Sequence, residues 1–307
     1  MKFLVTGGAG FIGSQLALEL ERAGHEVCVV DDFSSASQDN LRGFRGALIR
    51  QDISQPFPIP EDLHAIFHQA AITDPRYPND DELVEKNVGG FQRLLDHCEK
   101  KRVPLIYAST AGLYGNGAVP MEEDQLKECT TAYARSKLRM DELAELHREK
   151  VFSVGLRYFN VFGPNEAHKG RPASMIYHLW QQMREGKRPR IFKWGEQVRD
   201  FIYVKDVVRA NLCALAGKPG IYNVGTGVGT SFNDLVVILN RVMGTQLEPD
   251  YFEMPFSKDT YQGHTLASTL RAEKGLGFKA EWGLERAITD YLATLQYPHS
   301  RAEDVRE

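Results

Sequence analysis

Nowhere in the 307 residues does an uninterrupted apolar run approach the ~18 needed to cross a bilayer as a helix, so no membrane partner is expected. Cysteine is scarce and scattered: Cys28, Cys98, Cys129 and Cys213 form no CxxC pair and no Cys/His ligand spacing. That excludes a zinc module from expectation, leaves no metal site to predict, and suits reduced thiols in a reducing compartment. Positive charge is not in excess either. Lys and Arg number 37 against 41 Asp and Glu, for a net charge of −4 and a pI near 6.2, so no nucleic-acid partner is expected. The densest basic groups, "EKKR" (99–102) and "REGKRPR" (184–190), suit the ends of solvated helices. Repeats, low-complexity tracts and a Pro/Gly/Ser linker are all missing. Met-Lys runs straight into an apolar strand, so no signal peptide is expected and the protein reads as cytoplasmic.

What is there is alternation. "KFLVTG" (2–7), "EVCVVD" (26–31), "ALIRQD" (47–52), "AIFHQA" (65–70) and "PLIYAS" (104–109) read as buried strands. Helical patterns separate them, clearest at 11–24 and 80–101, and a helix near 131–149 leads to a strand at "FSVGLRYF" (152–159). Strand–helix alternation implies right-handed crossovers and a parallel sheet covered on both faces. After residue 163 the rhythm changes. Loops lengthen, a helix is expected near 174–186, a strand and helix over 199–215, and a last helix near 283–295.

"VTGGAGFIG" lies between the first strand and first helix and supplies Gly7, Gly10 and Gly13. A dinucleotide loop needs glycine for its tight turn, for close approach of backbone to pyrophosphate, and for packing helix on strand. The second strand ends in Asp31, placed to accept hydrogen bonds from the adenosine ribose. A carboxylate there repels a 2′-phosphate, and no basic residue follows before Arg42, so NAD is favoured, with NADP the alternative. Asp52 is either an adenine contact or a strand-end turn acid. The expected architecture is α/β: a doubly wound parallel-sheet Rossmann domain over 1–163, and a smaller interleaved C-terminal α/β substrate part over 164–307, with 199–217 returning to the first.

Six ordered blocks carry a further likeness: "TGGAGFIG" (6–13), "HQAA" (68–71), "YASTAGLYG" (107–115), "YARSK" (133–137), "RYFNVFGP" (157–164) and "RDFIYVKDV" (199–207). Together they resemble the extended short-chain dehydrogenase/reductase family across nearly the whole chain. Within it, "RYFNVFGPNEAHKGRPASMIYHL" (157–179) and "TYQGHTLASTLRA" (260–272) are most similar to the epimerases of nucleotide-activated heptoses. Thr260 stands where that group usually has arginine, and the segment after the second strand is shorter than theirs. The resemblance implies a nucleotide-sugar substrate and a homodimer formed through the helices near 80–101 and 130–149. It sets Phe11, Ile12, Ile53, Ala70, Asn87, Tyr133, Lys137 and Tyr158 against the dinucleotide. Asn160, Lys169, Ser174, His178, Arg199 and Tyr261 would meet the substrate.

It also implies a chemistry. Tyr133 would take the hydroxyl proton as hydride leaves the sugar carbon. Its pKa, ordinarily near ~10, would be lowered by the Lys137 ammonium one helical turn away and by the positive nicotinamide. Thr110 would hold the reacting oxygen beside it. The keto-sugar would turn over in the pocket and take hydride back on its other face, where Lys169 would serve as the second acid/base. Lys169 otherwise reads as a phosphate or ribose contact or a solvated loop lysine. Arg199 would grip the diphosphate or else pair with Asp200 or Asp206. His68 reads as support for the cofactor loop, and Trp194 as packing or a cover over the base. Ala111 and Gly112 stand where 4,6-dehydratases of this fold carry an acidic pair, which argues against elimination. The alternatives are a nucleoside-diphosphate-hexose 4-epimerase and, in a different class, a non-catalytic NAD(H)-sensing protein.

Overall fold

Apolar runs without polar alternation make strands buried on both faces, and the structure, a computed structural model, builds its centre from them. It describes residues 1–74, 76–255 and 261–296; Thr260 lies outside these. In chain order the strands are β1 (Lys2–Thr6), β2 (Glu26–Asp31), β3 (Ala47–Arg50), β4 (Ala65–His68), β5 (Leu105–Thr110), β6 (Ser153–Tyr158), β7 (Asn160–Phe162), β8 (Arg190–Phe192), β9 (Val198–Tyr203), β10 (Gly220–Val224), β11 (Gly229–Ser231) and β12 (Asp250–Phe252). The helices are α1 (Phe11–Arg22), α2 (Asp80–Lys101), α3 (Ala132–Leu146), α4 (Met175–Arg184), α5 (Val204–Ala214), α6 (Phe232–Met243), α7 (Leu270–Leu276) and α8 (Leu284–Gln296).

Seven strands form one parallel sheet in the order β10-β6-β5-β4-β1-β2-β3. The connection reverses direction between β1 and β4, so a crevice opens above the carboxyl ends of those two strands. Helices cover both faces. α1 buries Gly13, Leu16, Ala17 and Leu20, a stripe at helical spacing. On the opposite face α2 buries Leu83, Phe91, Leu94, Leu95 and Cys98. Asn79 caps α2 by accepting from the N–H groups of Asp81 and Glu82, and Lys100 and Lys101 of the basic cluster occupy its last turn.

One expectation changes. β3 was expected to be buried, yet Ala47, Leu48 and Arg50 are exposed, because β3 is the outermost strand of the sheet. Over 199–217, β9 pairs with β7 and β11 in a separate sheet, while α5 packs on α1 with Val207, Val208, Ala210 and Ala214 in the core of the large sheet, which β10 then joins. "GIYNV" is short and lacks flanking periodicity, so the seventh strand was not visible in the sequence. The C-terminal part packs α4, α6 and α8 around its own apolar cluster, to which Phe11 of α1 also belongs.

Candidate active site

The crevice begins with the glycine loop. Gly7 has φ +66°, and a Cβ there would stand 2.5 Å from the Ala70 nitrogen; a Cβ at Gly13 would stand 2.1 Å from the Gly7 carbonyl oxygen. Helix α1 starts at Gly10 without a side-chain cap, whereas α2, α3, α4 and α6 are capped by Asn79, Thr131, Ser174 and Ser231. Uncapped N–H groups at Phe11, Ile12 and Gly13, in a cradle that tolerates no side chain, fit a dinucleotide pyrophosphate. Beneath the loop, Thr6 Oγ1 and His68 Nδ1 lie 2.8 Å apart and tie β1 to β4. Burial and the nearby Lys137 ammonium hold His68 well below the usual imidazole range.

Asp31 is buried and accepts from the backbone N–H groups of Ala9 and Phe33, each at 2.9 Å. Burial raises its pKa from the ordinary carboxylate value. Along the chain no cation follows Asp31 before Arg42, but the sheet sets Arg50 beside Asp31 in register, with its guanidinium 5.3 Å from the Phe33 ring centre. Asp52 accepts from Ser54 N, which is a turn, and Ile53 packs against Gly90 of α2.

At the carboxyl end of β5, Thr110 Oγ1 accepts from Gly112 N at 3.1 Å, leaving its own proton for the neighbouring Tyr133 phenol. Lys137 is 1% exposed and donates to the Ala108 carbonyl at 2.8 Å, with its Nζ 5.8 Å from the Tyr133 ring centre. The expected lowering of the tyrosine pKa by Lys137 is not present in the protein alone. Burial pushes Tyr133 up to about 12, only partly offset by Thr110. Burial likewise lowers Lys137 to about 8. Tyr133 keeps part of its surface open to the crevice, so solvent moderates its shift.

Several expected contacts have their polar atoms engaged within the protein. Asn87 donates to Ile72 O and Ser136 Oγ and accepts from Ile72 N. The Tyr158 hydroxyl bonds with Gln69 and Asn211. Asn160 accepts from Thr265 Oγ1 at 2.9 Å. Ser174 caps α4 and bonds Glu166, and His178 Nε2 meets the Arg171 carbonyl.

Arg199 pairs with neither Asp200 nor Asp206. Asp200 accepts from Thr226, Gly227 and Ala267, and Asp206 from Glu281 and Trp282. Arg199 is 7% exposed, gives Nη1 to the carbonyls of Val198 and Gly263, and lies 5.1 Å from the Tyr261 ring. Burial lowers its pKa from the usual guanidinium value, and a hydrogen bond with Tyr261 opposes that. Trp194 is 60% exposed, so its ring is not core packing.

Lys169 sits in the loop between β7 and α4, with its Nζ 5.4 Å from the Phe11 ring at the start of α1. Burial lowers its pKa and the Glu166 carboxylate opposes that. Sequence reasoning missed what holds this loop. Glu166, fully buried, accepts from Gly163 N, Ser174 N and Ser174 Oγ, closing the two ends of the loop on one carboxylate. Gln262 donates to the carbonyls of Ala111 and Gly115 beside Thr110.

Fold and site together define a protein of the dinucleotide-binding class whose crevice brings Tyr133, Lys137 and Thr110 together. Residues 3–225 match the profile of the NAD dependent epimerase/dehydratase family. An ADP-L-glycero-D-manno-heptose-6-epimerase of Brachyspira hyodysenteriae is 38% identical over 95% of this chain and 97% of its own length. The crystal structure of the enzyme of that name from Helicobacter pylori superposes with a TM-score of 0.89 at 35% identity, covering 96% of each chain. A UDP-glucose 4-epimerase of Thermotoga maritima, solved with UDP-glucose, gives 0.87 at 30% identity, over 97% of this chain and 99% of that one. The chain belongs to the NAD dependent epimerase/dehydratase family. Among the described residues no helix is long and apolar enough to cross a membrane.

Proposed function

We propose that the protein is an epimerase of a nucleotide-activated heptose, inverting C6″ of ADP-glycero-manno-heptose. The observation that carries this is the loop of Lys169, folded back by Glu166 so that its ammonium stands at the mouth of the glycine loop. It supports a second proton-transfer group in the crevice, which inversion can use when the alcohol oxygen changes side and a simple dehydrogenase does not need. The bound dinucleotide supplies the hydride acceptor and donor. Tyr133 takes the hydroxyl proton in one orientation of the sugar, with Thr110 donating to the same oxygen. Lys137 holds positive charge beneath the phenol, and Lys169 serves the opposite orientation. Arg199, held by the Val198 and Gly263 carbonyls and by Tyr261, receives the diphosphate. NAD is favoured by the carboxylate of Asp31, while Arg50 lies against Phe33. Ala111 and Gly112, neither able to move a proton, speak against elimination.

Purified protein, with its bound dinucleotide identified by mass, should interconvert the two ADP-heptose epimerises without added cofactor. Tyr133→Phe should retain the dinucleotide and lose activity by roughly 10²–10⁴-fold. Conversion of UDP-hexoses but not ADP-heptose would move the assignment to a 4-epimerase. Near wild-type turnover in Tyr133→Phe would remove its role.

A further inference from the structure

The loop that carries Lys169 does not merely approach the glycine loop; it is fastened to it. Asn165, in left-handed backbone at φ +73°, donates Nδ2 to Ser14 Oγ at 3.0 Å on α1 and to the Asn40 carbonyl at 3.2 Å. Asn40 lies in the 3-10 turn (Gln38–Leu41) that follows β2, and its Nδ2 donates to the Ala9 carbonyl at 2.8 Å, inside the glycine loop. His168 Nδ1 stands 2.7 Å from the Asn165 carbonyl and 3.0 Å from Asn40 Nδ2. A carbonyl can only accept, so Nδ1 carries the proton and donates to Asn165 O. The Asn40 amide then packs against the ring edge without a bond to it. Segment 165–169 therefore spans from the first turn of α1, beside the phosphate cradle, to the turn after β2, beside Asp31.

We propose that Asn165 and His168 are positioning residues that latch the Lys169 loop onto the glycine loop and so set how long the dinucleotide stays bound. The proposal rests on the epimerase reading, in which one dinucleotide must persist from removal of hydride to its return. Release of the reduced form between these steps would strand the oxidised sugar. A loop that carries the second proton-transfer group and also closes the dinucleotide's exit ties retention to readiness for the return step. Asn40 serves both walls, because its amide orients Ala9 and its carbonyl receives the latch.

The test uses holoprotein loaded with NADH, chased with excess NAD, while the fluorescence of the reduced form is followed. Asn165→Gly keeps the left-handed backbone and removes both amide bonds; His168→Ala removes the ring; neither substitution alters a residue of the glycine loop. The double variant should release NADH at least about tenfold faster, as expected for the loss of a few hydrogen bonds. Without dinucleotide, its melting temperature should stay within a few degrees of the wild type. Release at the wild-type rate would overturn the latch, as would faster release in a variant whose dinucleotide-free form no longer melts cooperatively. No sugar enters this measurement. Faster release in a protein inactive on ADP-heptose would thus keep the latch and remove the substrate assignment. Unaltered release in an active epimerase would remove the latch alone.

Discussion

Lys137 carries its charge at a cost that pH can reveal. Its Nζ faces the Ala108 carbonyl, the Tyr133 ring, the neutral His68 and, one turn along the helix, Asp141. Burial outweighs Asp141 and lowers its pKa from 10.5 to about 8. Between those values the unfolded chain binds a proton that the native protein does not, so stability rises with pH. Tyr133, raised to about 12, acts in the other direction once the pH passes its ordinary 10, because the folded protein then holds the extra proton. Melting temperature of the dinucleotide-free protein should therefore climb from pH 8 to about 10 and flatten or fall above it. The full Lys137 shift corresponds to on the order of 3 kcal/mol. Lys137→Met should abolish the climb; an identical profile in that variant would assign the rise to another group.

Helix α3 owes its placement to a charge pair at its far end. Asp141 Oδ2 accepts from Arg157 Nε and Nη2 at 2.9 Å and from Ser109 Oγ at 3.1 Å, which joins α3 to β6 and β5. Arg157 Nη1 also donates to Tyr114 and to the Glu123 carbonyl. Both ions are nearly inaccessible, at 3% and 2% exposure. Removing one partner leaves the other charged and unpaired in a dry site. Asp141→Ala should therefore lower the free energy of unfolding by about 3–5 kcal/mol in denaturant titration. A loss below about 1 kcal/mol, the value of an exposed pair, would show that water reaches Arg157. In "YARSKLRMD" this aspartate looks like a surface acid beside Arg139, whose actual partner is Glu142. Only the arrival of β6 next to β5 reveals the difference.

Chains of this length often unfold domain by domain, but here the two parts share their core. Ile12 and Val161 pack against both the sheet cluster and the C-terminal cluster, Phe11 of α1 lies in the latter, and β10 closes the edge of the large sheet. Met121 bridges Ala267 as well, binding the segment after β5 to the C-terminal stretch. All three tryptophans, Trp180, Trp194 and Trp282, belong to the later half, so their fluorescence reports that half alone. Denaturation followed by tryptophan emission and by far-ultraviolet circular dichroism should give coincident midpoints. An earlier tryptophan transition would mean that the C-terminal part melts independently.

What could be read without a fold was local in its physics. Gly10 and Gly13 are imposed by a turn that brings them onto the Gly7 carbonyl a few residues away, whereas Gly7 also answers to distant Ala70. Tyr133 and Lys137 share a face through helix geometry alone, and alternation of strand and helix implies a parallel sheet. The shifted pKa values, the buried Arg157–Asp141 pair, Arg50 beside Asp31, the burial of Arg199 and the fastening of Asn165 to Ser14 and Asn40 were decided elsewhere. Each depends on how deeply a group is buried, or on which distant strand or loop arrives next to it. Desolvation and long-range pairing exist only once the chain has closed on itself.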